Sequence, residues 1–332
     1  MEEPGVEIIV PVLPTGMPEH EAVAVQRRLI DDLLAPHAGR RMVHWYYTPM
    51  AMGFAGHLEA DLCVYDCMDE LSGFRGAPAT LLERERRLFE RADLVFTGGQ
   101  SLYEAKRDRH HSVHAFPSSI DRAHFAGARA HGLEEPADQR HIPGPRLGFF
   151  GVIDERLDIN LLAAAADLRP DWSFVMIGPV VKIDPATLPR RPNIHYLGSR
   201  KYGELPAYLS GWDVGFMPFA LNEATRFISP TKTPEFLASG LPVVCTPITD
   251  VIRPYGETGL VEIAATPEQV VAKAAMLMAR PREPWLAAVD GFLAGTSWDR
   301  TWDAMHSLVA AHLDGTAPRQ SAPDAAKGSL HV

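Results

Sequence analysis

Two doubly wound α/β domains in tandem are what this sequence predicts, and three observations predict them. Short runs rich in Val, Ile, Phe and Tyr alternate with helical patterns along the chain. Most of these runs are apolar on both faces, as strands inside a parallel sheet must be. The third observation is length: 332 residues suffice for two cores, and a polar stretch with Pro and Gly, 134–145, divides the series as an interdomain linker.

In the first half, strands are expected at residues 8–13, 42–48, 62–66, 93–97 and 113–116. Helical patterns at 22–34 and 79–91 lie between them. The second sets Leu81, Leu82, Leu88 and Phe89 on one face and a Glu/Arg mixture on a solvated one. In the second half, strands are expected at 146–150, 173–177, 193–197, 213–218, 242–246 and 259–263, with helices at 158–168 and 232–239. A last helix spans 298–313. Right-handed βαβ crossovers then give each half a parallel sheet. The interdomain cleft at the carboxyl ends of the strands is the expected ligand site. The domain boundaries that follow are 1–140, 141–285, closing helices over 286–314 and a disordered tail over 315–332.

Composition removes several functions. Lys plus Arg total 32 against 42 for Asp plus Glu, a formal net charge of −10. That balance excludes a generally basic nucleic-acid-binding surface. No apolar run approaches the roughly 20 residues of a membrane span, and no opening stretch resembles a signal peptide. Cys63, Cys67 and Cys245 make no disulfide framework, so a reduced cytoplasmic compartment is expected. Gly148-x2-Gly151 is not the dinucleotide fingerprint, and neither a nucleophile elbow nor a Gly-Lys-Ser/Thr phosphate loop occurs. His110, His111 and His114 lack partners at metal spacing.

The richest segment is Ser229-Pro-Thr-Lys-Thr-Pro-Glu-Phe-Leu-Ala-Ser-Gly240, followed by an apolar strand. It reads as a helix with Ser229 and Thr231 at its start, Lys232 in its first turn and Glu235 one turn later. Free amides at a helix start attract anions, and Lys232 adds a full charge beside them. That pairing suits a diphosphate, with Glu235 accepting from ribose hydroxyls; ordinary capping on a solvated face is the alternative. A second cluster, Tyr65-Asp66-Cys67-Met68-Asp69-Glu70, follows an apolar strand. Asp66 and Asp69 are expected at the carboxyl end of that strand, facing the cleft. Mutual repulsion of three carboxylates raises at least one pKa, which suits a group that receives or orients a hydroxyl proton. Asp66 as a helix cap is the alternative. Gly98-Gly99 reads as a structural turn, or as a helix start facing the cleft.

The phrase Lys-x2-Glu-Phe-Leu-Ala-Ser-Gly-x-Pro-Val-Val over 232–244 resembles the nucleotide-binding helix of bacterial group 1 (family 4-like) glycosyltransferases of GT-B fold. Phe116-Pro-Ser-Ser-Ile-Asp121, Leu147-Gly-Phe-Phe-Gly-Val-Ile153, Asn193-Ile-His-Tyr-Leu-Gly198 and Trp298-Asp299 resemble further family segments, in the family's order. Tyr65-Asp-Cys-Met-Asp-Glu-Leu71 and Arg226-Phe-Ile-Ser-Pro-Thr-Lys-Thr-Pro-Glu235 resemble a subgroup of teichuronic-acid and exopolysaccharide type.

The resemblance implies two Rossmann-like domains and hexosyl transfer, with retention, from a nucleotide sugar, UDP-linked by expectation, to a glycan or lipid-linked acceptor. It implies no metal or cofactor, because helix ends and basic side chains neutralise the leaving diphosphate. Donor-binding candidates are Gly151, Arg156, Arg226, Ser229, Thr231, Lys232 and Glu235; Asp66 and Asp69 are the catalytic candidates beside the acceptor. A cytoplasmic enzyme is implied, with peripheral contact at the inner face of the membrane. Phe227 stands where the family has the first acid of its Glu-x7-Glu pair, and Asp154-Glu-Arg156 follows Gly151 in place of the family's Arg and Lys. The family's usual first strand and Gly loop are not found ahead of residue 8, so the N-terminal domain is expected to be short of its first βα unit. A UDP-sugar 2-epimerase-like enzyme and a non-catalytic sugar-nucleotide-binding module are the competing readings.

Overall fold

The computed structural model describes residues 5–315, so the expectation of a disordered tail falls almost wholly outside the described residues. Among the described residues, ten strands form two sheets that are parallel throughout. The first holds β1 (Val43–Tyr46), β2 (Leu62–Cys67), β3 (Leu94–Thr97) and β4 (Val113–Ala115) in that spatial order. The second holds β5 (Arg146–Phe150), β6 (Ser173–Ile177), β7 (Ile194–Gly198), β8 (Val214–Met217), β9 (Val243–Cys245) and β10 (Val261–Ile263). Its order is β10-β9-β8-β5-β6-β7. The reversal at β5 is the topological switch point, and the crevice beyond it is where such sheets bind ligands.

The local chemistry of the chain accounts for these elements. β5, β6, β8 and β9 are buried on both faces, as their uninterrupted apolar character requires. Gly148 in β5 has no side chain because the Trp212 ring fills that space; a Cβ there would lie 2.0 Å from it. Asp158 caps the helix Ile159–Leu168 by accepting from the Asn160 and Leu161 amides, and Ser297 caps Trp298–Leu313 through the Arg300 amide. That last helix packs Met305, Leu308 and Val309 onto Leu62, Val64, Leu94 and Phe96 of the first sheet. Among the described residues, no helix is long and apolar enough to cross a membrane.

Three expectations need correction. Residues 8–13 form no strand: Ile8 and Val12 are 79% and 91% exposed, and no ladder receives the segment. An apolar, β-branched run favours a strand only where a sheet edge pairs with it, and Pro11 lacks the amide to help it pair. The stretch 134–145 is not a free linker, because Gln139 and Ile142 are buried against the second domain. The Gln139 amide donates to the Tyr208 carbonyl and its oxygen accepts from the Trp212 indole N–H at 2.8 Å. The polar face of helix Leu81–Arg91 is only partly solvated: Glu85 is buried, and Arg91 donates to the Gly56 and Leu58 carbonyls.

Candidate functional site

The domains meet at the carboxyl ends of both sheets. Gly98 and Gly99 follow β3, and Gly99 heads the helix Gln100–Lys106. The Asp250 carboxylate of the second domain accepts from the Ser101 amide at 3.0 Å. A Cβ on Gly99 would lie 2.3 Å from Asp250 Oδ2 and 2.9 Å from Ser229 Cβ, so glycine here permits close domain approach. Ser118 Oγ donates to the Ser229 carbonyl at 2.8 Å, and Arg253 pairs with Glu104. Phe227 packs against the apolar cluster of the first domain, which gives the residue in the acid's usual place a docking role.

Between these contacts lies a cleft lined from the first domain by Met68, Asp69 and Ser118. Phe149, Arg156, Ser229, Thr231 and Lys232 line it from the second. Lys232 opens the seven-residue helix Lys232–Ala238, and its side chain runs directly over Gly151. A Cβ on Gly151 would sit 2.2 Å from Lys232 Cε and 2.6 Å from Nζ. Gly151 has φ +132°, and Gly178 after β6 presses on its carbonyl. Two backbone segments thus converge under the ammonium with no side chain between them. Nζ stands 5.6 Å from the centre of the Phe149 ring, and among the described residues no hydrogen bond or salt bridge engages it. Burial pushes the Lys232 pKa down, and nearby Glu235 opposes that shift. A helix this short has a weak dipole, so the lysine carries most of the anion-attracting charge.

Glu235 lies one turn on and is half-buried, outside the cleft lining itself. Burial raises its pKa to about 7 against an opposing pull from Lys232. The carboxyl takes up its proton at about 7 when folded and at the ordinary value of 4.5 when unfolded. The folded chain therefore holds more protons than the unfolded chain between those values. Glu235 contributes stability fully below pH 4.5 and loses it as pH rises through about 7, on the order of 1–3 kcal/mol. Thermal midpoints of the ligand-free protein should fall across that window, and Glu235→Gln should flatten the fall. Equal pH slopes in both proteins would contradict the assignment.

The remaining candidates divide. Arg156 lines the cleft, but its guanidinium grips buried Asp154 through Nε and Nη2, the latter at 2.8 Å, and stacks over Phe74. Site lining and charge pairing both hold for it. Arg226 is outside the lining, largely exposed, 3.6 Å from Glu223 and stacked on Phe227. Asp69 faces the cleft, and burial raises its pKa while Arg156 opposes that.

Asp66 does not face the cleft. β2 continues through Cys67, so strand alternation puts Asp66 on the same face as Leu62 and Val64, beneath the last helix. There it accepts from the Trp45 indole N–H at 2.9 Å, and burial raises its pKa. The three neighbouring carboxylates diverge rather than repel: Glu70 turns to Lys106. Sequence reasoning missed Phe149, Phe219 and Gly178. The first two look like core residues, and the demand on Gly178 appears only when the ends of β5 and β6 meet.

Residues 144–280 match the family model described as glycosyl transferases group 1. Over 241 residues the chain is 28% identical to TuaH of Bacillus subtilis strain 168, a protein named for glycosyl transfer in teichuronic acid biosynthesis. The match takes in 66% of this chain and 59% of TuaH, so the chain spans less than two thirds of that relative. Among solved structures, Anabaena HepE in complex with UDP and glucose superposes with a TM-score of 0.65 at 13% identity, covering 89% of this chain and 84% of that one. WaaG, a glycosyltransferase involved in lipopolysaccharide biosynthesis, gives 0.58 at 16% identity, with coverage of 94% and 86%. The architecture is therefore the two-domain GT-B fold. Within it, residues 144–280 are the part similar to the group 1 glycosyl transferase model.

Proposed function

We propose that the chain transfers a hexosyl group from a nucleotide sugar, UDP-linked, to a glycan or lipid-linked acceptor in cell-envelope or exopolysaccharide synthesis. The observation that carries the reading is Lys232: among the described residues a buried ammonium in no direct ion pair, in the interdomain cleft, over a glycine turn at the switch point of the sheet. Such a group binds a diphosphate, and it neutralises charge as that diphosphate departs. Gly151 lets backbone and phosphate approach, Ser229 and Thr231 flank the phosphates, and Glu235 takes the ribose. Arg156 lies close enough to add charge once the donor competes with Asp154 for it.

In the transfer, the anomeric carbon–oxygen bond to the diphosphate breaks as the acceptor oxygen bonds to that carbon. For retention the acceptor oxygen approaches on the face the diphosphate leaves, so its proton passes to the departing diphosphate oxygen. Asp69, across the cleft from Lys232, orients the acceptor hydroxyl, and charge stabilisation supplies the rest. Retention of configuration and independence of metal belong to this reading. So does action at the cytoplasmic face of a membrane. The HepE complex, which holds UDP in a like fold, supports the choice of base.

A thermal-shift screen of nucleotides and nucleotide sugars tests it. A true donor at a hundred times its Kd stabilises by about 2.7 kcal/mol, so UDP or a UDP-sugar should raise the midpoint while NAD leaves it unchanged. A free epimerised sugar nucleotide, or binding with neither hydrolysis nor transfer, would displace the transferase reading.

A further inference from the structure

The last helix carries a repeat that the donor cleft does not use. Residues 298–303 read Trp-Asp-Arg-Thr-Trp-Asp, and the four-residue spacing sets Trp298 beside Trp302 on one helix face. Both indoles stay exposed, by 46% and 54%, although they continue the stripe that packs Met305 and Val309 on the first sheet; Trp302 also stacks on His306, 5.7 Å away. The run of the helix puts them at the functional end. Trp302 lies 6.2 Å, ring to ring, from Trp45 of β1, whereas His312 reaches Asp93, just ahead of β3. The helix therefore starts near the carboxyl ends of the parallel strands, where α/β ligand sites gather.

Trp45 is itself braced. Its ring packs 5.4 Å from Phe96, and its indole N–H donates to Asp66. The other carboxylate oxygen, Asp66 Oδ1, is buried and accepts no hydrogen bond among the described residues. Burying half a carboxylate unsatisfied is costly, and what it gains is a fixed indole behind Trp302.

We propose that Trp298 and Trp302 form a shelf for the sugar rings of a neutral, hydroxyl-rich acceptor glycan, with Asp66 acting through Trp45 as a positioning residue. Two exposed indoles one helical turn apart suit successive pyranose rings, whose C–H faces stack on aromatic rings. Asp299 and Asp303, each following a tryptophan, accept hydrogen bonds from sugar hydroxyls. The same carboxylates, on a chain of net charge −10, repel anionic headgroups and acidic polymers. This favours a neutral glycan over a membrane surface. The inference rests on the transferase reading and names its acceptor class.

Chitohexaose and maltohexaose titrated into the full chain, followed by tryptophan fluorescence and saturation-transfer NMR, test it. At least one should bind saturably. Trp298→Ala and Trp302→Ala should each weaken binding tenfold or more, Trp302→Phe should recover most of it, and Asp66→Asn should weaken it less. Vesicles containing phosphatidylglycerol should leave the fluorescence unchanged. The proposal is overturned if neither hexasaccharide binds the wild type, if both alanine variants bind like wild type, or if the vesicles bind through these tryptophans. UDP titrated into the same preparations separates the two readings. UDP binding kept by the variants shows that they are folded, and UDP failing on the wild type strikes the transferase reading while the shelf keeps its own result.

Discussion

Gly151→Ala is expected to reduce UDP affinity at least a hundredfold, about 2.7 kcal/mol. Two costs combine at this position. Its φ of +132° lies where residues with a Cβ are strained, about 1–3 kcal/mol for a site held there by its surroundings. The added carbon would also land 2.2 Å from Lys232 Cε, and the flexible end of the lysine must yield, leaving the phosphate position. The strain should lower the thermal midpoint, and the displaced lysine should lower nucleotide affinity, so both readouts are expected to move. Gly203→Ala is the control, since a Cβ there meets nothing within 4 Å. Calorimetric titration of both variants checks this, and wild-type affinity in Gly151→Ala would contradict the placement of Lys232.

Lys106→Met is expected to destabilise the first domain by about 3–5 kcal/mol, lowering its thermal midpoint by roughly 10 °C or more. Lys106 is buried between Glu70 at 2.5 Å and Glu85 at 2.9 Å, with Arg109 reaching Glu85 at 2.7 Å. Burial alone would raise the Glu85 pKa, but Lys106 and Arg109 outweigh it and hold it below its ordinary value. Removing the lysine leaves buried negative charge short of a partner. Glu85→Gln in the same chain should restore part of the loss, and scanning calorimetry of the single and double variants reads it. The network matters beyond stability, because Glu70 adjoins Asp69 and so ties the acidic loop to the helix Gln100–Lys106. A Lys106→Met protein as stable as wild type would show that the ion pairs contribute nothing net.

How much of this was legible in the sequence depends on what each residue answers to. The buried strands of the second sheet are visible because apolar runs of their length have few other solutions, and β5 and β6 sit where the pattern puts them. Residues 8–13 mislead for the complementary reason: their pattern is that of a strand, yet pairing depends on a neighbour that local sequence does not specify. Lys232 and Glu235 could be read from one phrase, since a helix start, a cation and an acid sit together within seven residues.

Asp66 and Asp69 look equivalent in sequence. They separate only because β2 runs one residue past Asp66, which fixes the face on which that side chain emerges. Phe227 was legible as a departure from the family's acid, but its docking into the first domain depends on contacts far away in the chain. Gly99 and Asp250 are 151 positions apart, and no local signal links them.

The central claim is that Lys232 over Gly151 is a diphosphate site. Isothermal titration of UDP into the wild-type chain and into Lys232→Ala tests it most directly. Saturable binding to the wild type, weakened tenfold or more in the variant, about 1.4 kcal/mol, is the predicted result. Equal affinity in the two proteins, or no heat from UDP in the wild type at concentrations that saturate nucleotide sites, would contradict it.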